Sequence, residues 1–217
     1  MTNNVDIFET ENGKSIKITF IKHGSLMIDF DGINLAIDPV SDYCNYKKML
    51  KADYIFITHE HSDHLDKRAI NDLRKPSTKI FSNENSIKIL GEGEIIRNGY
   101  EMDIDDINVC IIPAYNTTKT FHPKGRDNGY IFKYDNFSIY ISGDTENIDE
   151  MSNIDVDVAF ISVNQPYTMT IEQAINSIEN MKAKIVYPYH YSDTDVSKIA
   201  NYFKNNKSCE IRIRDMQ

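Results

Sequence analysis

Tryptophan is absent from this chain of 217 residues, and cysteine is scarce: Cys44, Cys110 and Cys209 lie far apart with no C-x-x-C pair. An odd, sparse count excludes a disulfide framework and points to reduced thiols, hence to a cytoplasmic protein. No apolar stretch approaches the ~18 residues that suggest a membrane span. The first residues, Met1 to Gly13, are polar and acidic and lack the pattern of a secretory signal. No membrane is expected among the partners. Positive charge is in deficit, with 24 Lys and Arg against 33 Asp and Glu, a formal net charge of −9. No basic run offers a local patch, so no nucleic acid is expected either. What is present is 41% apolar residues, with 13 Tyr and 10 Phe as aromatic bulk. At this length that suffices for one core without staples.

Short Ile-rich strands dominate the pattern. Ser15 to Lys22 alternates Ile16, Ile18 and Phe20 with Lys17 and Thr19, the period of a half-buried strand. Leu26 to Phe30 and Ile33 to Ile37 flank Asp31-Gly32, a hairpin turn in which both residues take φ > 0. Ala52 to Thr58 reads as a buried strand, Asp66 to Arg74 as a helix stopped before Pro76, and Thr78 to Ser82 as a strand. The second half repeats this order. Tyr130 to Tyr134 and Phe137 to Ser142 flank Asp135-Asn136, and Val156 to Ser162 is a buried strand. A helix with a capping box opens at Thr170 and Gln173, followed by a strand over Lys184 to Tyr187, a helix over Asp195 to Lys204 and a strand over Cys209 to Ile213. At an offset of 104, Asp31, Ile37, Asp53, Phe56 and Ile57 meet Asp135, Ile141, Asp157, Phe160 and Ile161. The expectation is an α/β protein with two similar half-domains, about residues 16–110 and 111–217. They would stack sheet on sheet as one four-layer αββα sandwich.

Chemistry concentrates directly after the strand Ala52 to Thr58, where the chain reads Thr58-His59-Glu60-His61-Ser62-Asp63-His64. In extended chain, residues two apart point the same way, so His59 and His61 can converge on one point. Asp63 and His64 can face a neighbouring one. Imidazole and carboxylate are ligands for divalent Zn, Mn and Fe, and the carboxyl end of a buried strand is where α/β proteins carry their sites. Four residues cannot complete two metals. His122 in a Gly/Asn/Thr-rich loop, Asp144 in Ser142-Gly143-Asp144-Thr145, and His190 in Pro188-Tyr189-His190-Tyr191 supply what a binuclear site still needs.

These motifs resemble the metallo-β-lactamase superfamily of metal-dependent hydrolases, whose signature T-H-x-H-x-D-H is matched by Thr58 through His64. Within it the chain is similar to the lactonase-like branch that includes L-ascorbate-6-phosphate lactonase. Ile37-Asp38-Pro39, Ser142-Gly143-Asp144-Thr145, Pro166-Tyr167-Thr168-Met169-Thr170 and Pro188-Tyr189-His190-Tyr191 carry that similarity. The resemblance implies that His59, His61 and a third histidine hold one metal, that Asp63, His64 and His190 hold a second, and that Asp144 bridges them. Many relatives carry the third histidine just after a Pro-Ala-x step. Here that step is Pro113-Ala114-Tyr115-Asn116, and His122 is the histidine that follows. His23 resembles a histidine found near the pocket in relatives, and the resemblance also implies homo-oligomers.

Two divalent ions about 3.5–4 Å apart would activate a bridging water as hydroxide to attack a small-molecule ester, lactone or related bond. Asp63 is the candidate catalytic proton acceptor. Asp38 and Thr58 are candidates to orient ligand imidazoles, and Asn164 and Tyr191 to line the substrate pocket. With no thiolate proposed, zinc is the leading metal, with manganese and iron compatible. Two other readings stay open: a phosphodiesterase or nuclease on the same scaffold, and a metal- or ligand-binding protein without turnover. The loops around Tyr43 to Lys51 and Tyr115 to Asn128, which would set specificity, carry no substrate motif.

Overall fold

Alternation along the strands decides which side chains meet. In the computed structural model, which describes residues 4–206 and 209–217, the first sheet holds β1 (Val5–Glu9), β2 (Ser15–Lys22), β3 (Ser25–Phe30), β4 (Ile33–Ile37), β5 (Tyr54–Phe56), β6 (Lys79–Ser82) and β7 (Glu94–Ile95). Helix α1 (Lys67–Leu73) joins β5 to β6, and α2 (Glu84–Leu90) joins β6 to β7. The second sheet holds β8 (Glu101–Ile104), β9 (Ile107–Ala114), β10 (Asp127–Tyr134), β11 (Phe137–Ile141), β12 (Asp155–Ser162), β13 (Lys182–Tyr189) and β14 (Glu210–Ile211). Its helices are α3 (Ile171–Asn180), before β13, and α4 (Ser197–Phe203), before β14.

Both sheets run in chain order, and in both the first four strands pair antiparallel and the last four parallel. The two halves therefore share one topology. The sheets divide between Ile95 and Glu101, so the half boundary expected at 110/111 moves back. That position falls inside β9, which pairs with both of its neighbours in the second sheet. Strands β1 and β7, the hairpin of β8 and β9, and α2 are additional to the elements expected from the sequence.

Leu35, Ile37, Tyr54 and Phe56 point between the sheets, where Phe56 meets Tyr130 and Phe132 at ring distances of 5.2 and 5.0 Å. Phe20 packs across the same layer on Phe160 and Tyr187. The alternate residues Ala36, Ile55 and Ile57 face outward and are covered by Ala69, Ile70 and Leu73 of α1. This makes the four-layer sandwich. Local chemistry sets the joints. Asp31 and Gly32 turn the first hairpin with φ of 49° and 103°, and Asp135 and Asn136 turn its counterpart with 47° and 63°. Thr170 and Gln173 form a reciprocal capping box at the start of α3.

Strands β2 and β9 occupy equivalent places, yet their exits differ. The two-residue turn His23-Gly24 leads from β2 to β3, whereas residues 115–126 lead from β9 to β10. That longer connection carries His122. No helix among the described residues is long and apolar enough to cross a membrane.

Candidate metal centre

Strands β2, β4, β5, β9, β11, β12 and β13 all point their carboxyl ends toward one edge of the sandwich. From those ends project His23, Asp38, the Thr58–His64 loop, His122, Asp144, Asn164 and His190. This is the position where α/β sheets hold ligands, because chain direction reverses there and side chains of separate loops converge.

Two clusters result. In the first, the ligand atoms of His59, His61 and His122 lie within 4.8 Å of one another, with His59 Nε2 3.1 Å from His61 Nδ1. In the second, His23, Asp63, His64 and His190 meet the same limit. There Asp63 Oδ2 stands 3.1 Å from His23 Nε2, 3.5 Å from His190 Nε2 and 3.8 Å from His64 Nε2. Asp144 lies between them. Its Oδ2 is 3.4 Å from His122 Nε2, 4.0 Å from His59 Nε2 and 3.3 Å from His190 Nε2, and its Oδ1 is 3.5 Å from His64 Nε2.

Hydrogen bonds behind the clusters determine which ring nitrogens face inward. Asp38, fully buried, accepts from Thr58 N and Thr58 Oγ1, both at 2.7 Å, and from His64 Nδ1 at 2.7 Å. With its proton on Asp38, the Thr58 hydroxyl is left to accept from His59 Nδ1 at 3.0 Å. His122 Nδ1 donates to Asp127 at 2.9 Å. Each bond assigns the proton to Nδ1 and leaves Nε2 as a bare lone pair turned into the cluster. Such atoms need a partner. His64 Nε2, His190 Nε2 and Asp144 Oδ1 are buried without a hydrogen-bond partner, an expensive arrangement unless a cation takes those lone pairs. The donor set of imidazoles and carboxylates suits divalent zinc, manganese or iron.

Electrostatics separates the ligands. Burial, reinforced by the neighbouring imidazoles of His64, His122 and His61, pushes His59 well below its ordinary value, so it is neutral and ready to ligate. His61 and His23 also move down, chiefly by burial. Burial alone would lower His64 as well, but Asp144, Asp38 and Asp63 outweigh it and lift His64 to about 10, so a metal ion taking Nε2 would displace a proton there. Burial would raise Asp63, yet the adjoining His190 imidazole, the hydrogen bond with His23 and the charge of His64 hold it far below the usual carboxylate range. Asp144 is lowered in the same contest, by His190, His64 and His122.

Asn164 lines the cleft of about 510 Å³ that opens over the clusters, together with His23, His61, Asp63, Asp144 and His190. Tyr191 does not. Its hydroxyl donates to the Arg214 carbonyl at 2.6 Å and accepts from Met216 N at 3.3 Å, so the chain's last residues hold it away from the cleft. Two contributors escape the sequence reading. Asp127 is the partner of His122 and is itself held by Arg126 at 2.6 and 2.9 Å. Gly24 is the other: a Cβ there would stand 2.9 Å from His64 Cε1, so only glycine lets that imidazole seat. The one sequence signal for Asp127 is a carboxylate in the loop of His122. Gly24 shows only as the turn after β2.

The fold and this paired constellation define a metal-dependent hydrolase of the metallo-β-lactamase superfamily, and residues 17–190 match the Beta-lactamase superfamily domain. A UPF0173 metal-dependent hydrolase of Ignicoccus hospitalis is 30% identical over 198 residues, covering 82% of this chain and 83% of its own length. The chain belongs to that family, the UPF0173 metal-dependent hydrolases. A crystal structure from Parabacteroides distasonis ATCC 8503 is 47% identical and superposes with a TM-score of 0.95, covering 98% of this chain and 99% of that one. Igni18, a metallo hydrolase from Ignicoccus hospitalis, is 25% identical with a TM-score of 0.78, covering 93% and 95%.

Proposed function

We propose that this protein is a cytoplasmic binuclear hydrolase of the lactonase-like kind, acting on a small-molecule ester, lactone or related bond. The observation that carries the reading is Asp144, whose Oδ2 lies 3.4 Å from His122 of one cluster and 3.3 Å from His190 of the other, with Oδ1 3.5 Å from His64. His59, His61 and His122 would hold one ion, and Asp63, His64 and His190 the other, with Asp144 shared and zinc the leading candidate. Bound there, divalent ions supply a water acidic enough to lose its proton near neutral pH and positive charge for a developing oxyanion.

The chain's own groups do the rest. Asp38, Thr58 and Asp127 keep the ligand imidazoles in one tautomer and one orientation, so the site needs no rearrangement to work. Asp63 is the ligand with an open side: its side chain is 41% exposed and lines the cleft. Held below the usual carboxylate range, it is ionised at neutral pH. Its other oxygen, not the Oδ2 that faces the histidines, would take a proton as a tetrahedral intermediate collapses and pass it on to the leaving group. His23 Nε2, 3.1 Å from Oδ2, fixes the carboxylate's rotation.

The test is metal analysis joined to a substrate screen of lactones, thioesters and bis-p-nitrophenyl phosphate. Lactone or ester turnover that chelation abolishes and zinc restores is the expected result. Turnover of the phosphodiester alone would replace this reading with a phosphodiesterase. Metal binding with no turnover would leave a binding protein.

A further inference from the structure

Two large aromatic side chains stand exposed at the mouth of the cleft, Phe121 at 41% and Tyr167 at 44%. Their rings meet edge to face with centroids 5.0 Å apart, and both line the same cavity as His61, Asp63 and His122. They come from different loops, and one buried amide fixes both. Asn116 Oδ1 accepts from the backbone N–H of His122 at 3.0 Å, while its own N–H donates to the His122 carbonyl at 2.8 Å. Its Nδ2 donates to the Tyr167 carbonyl at 2.8 Å. The loop of Tyr167 is closed by the N–H groups of Tyr167 and Thr168, which both donate to the Asn164 carbonyl at 2.9 and 2.7 Å. The aromatic pair is thus a braced platform.

Away from the two histidine and aspartate clusters, the remaining wall is polar and uncharged. Asn164 Nδ2 donates to Ser192 Oγ at 3.3 Å, and Ser62 completes it. Among the described residues that line the cleft none is lysine or arginine. The cations nearby are committed elsewhere: Lys119 Nζ donates to Glu146 at 3.0 Å and to Gln165 at 2.9 Å, and Arg126 is bound to Asp127. A phosphate carried on the non-reacting part of a substrate would find no cation of its own here. An apolar or ring-bearing group would cover two exposed aromatic faces.

We infer that Phe121 and Tyr167 form the subsite for the non-reacting part of the substrate, and that they select an uncharged apolar or aromatic group joined to the scissile bond. The inference rests on the ester and lactone reading above and narrows it away from phosphorylated substrates.

Benzyl acetate and methyl acetate differ in the group the platform would grip, and 2-naphthol reports binding through its own fluorescence without any turnover. Zinc-loaded wild-type protein is expected to favour benzyl over methyl acetate in kcat/KM by about tenfold or more, the scale of discrimination an apolar contact supplies. Tyr167→Ala and Phe121→Ala should collapse that ratio and weaken 2-naphthol binding by a similar factor, while Tyr167→Phe keeps both. Metal content, measured alongside, separates this from damage to the neighbouring His122, and Tyr167→Ala carries the test if Phe121→Ala sheds metal. A preserved ratio with unchanged 2-naphthol binding in both variants overturns the inference. Neither ester turned over, with 2-naphthol binding lost in the variants, leaves the subsite standing and refutes the ester reading instead.

Discussion

The Glu146 carboxylate accepts the backbone N–H groups of both Thr117 and Thr118 at 2.6 Å, although the residues are separated by a strand hairpin. Thr118 Oγ1 and Lys119 Nζ add bonds at 2.7 and 3.0 Å. Glu146 lies two residues after Asp144, and Thr117 to Lys119 lie in the connection that carries His122. One buried carboxylate therefore fastens the loop of Asp144 to the loop of His122.

Glu146 makes that fastening pH-dependent. Burial would raise its carboxyl, but the bonds from Thr118, Lys119 and Thr117 hold it at about 2, below the ordinary 4.5. A depressed carboxyl contributes stability that is complete above its unfolded value and lost as pH falls through its folded value. Glu146→Gln should therefore cost on the order of 2 kcal/mol at neutral pH. The Tm gap between variant and wild type should narrow as pH falls from about 4.5 toward 2. Thermal unfolding across that range checks it, and a gap independent of pH would remove Glu146 from this role.

Asp127 is the counterpart of Asp38 on the other cluster. Removing the carboxylate behind a ligand histidine usually weakens metal binding by about 10–100-fold. Asp127→Ala is expected to lose affinity for one ion by such a factor and keep the other. Competition with a chromophoric chelator would resolve the two sites. Equal weakening at both would contradict the assignment of His122 to a separate cluster.

Gly24 tests the second cluster without touching a ligand. The added methyl of Gly24→Ala would press on His64 Cε1 and Nδ1, at 2.9 and 3.2 Å, with His190 Cδ2 beyond at 3.8 Å. His64 is wedged against Asp38 and cannot yield by rotation alone. The variant should fold and retain the ion of His59, His61 and His122, yet bind the second at least tenfold more weakly. Metal content after dialysis measures this, and wild-type stoichiometry would refute it.

Much of this centre is legible in the sequence, for identifiable reasons. Thr58 to His64 is local: its ligands are spaced by chain geometry, and the strand before it is announced by Tyr54, Ile55 and Phe56. Asp144 and His190 are legible because each ends a strand that repeats one of the first half. Asp127 is not, because its partnership with His122 depends on how a twelve-residue connection folds back on β10. Tyr191 looks like a pocket residue by its place beside His190, yet β13 ends at Tyr189, His190 takes a φ of 50°, and the Tyr191 hydroxyl meets Arg214 and Met216 instead. Strand β1 reads as polar, acidic chain since only its pairing with β2 reveals it. Helix α2 hides because Ser86 is its one buried residue.

Whether Asp144 stands between two metal ions is read out by anomalous X-ray diffraction at the zinc edge from zinc-loaded crystals. Two peaks are expected, one on either side of Asp144, ligated by His59, His61 and His122 and by Asp63, His64 and His190. A single peak, or peaks that leave either set of residues without an ion, would contradict this arrangement.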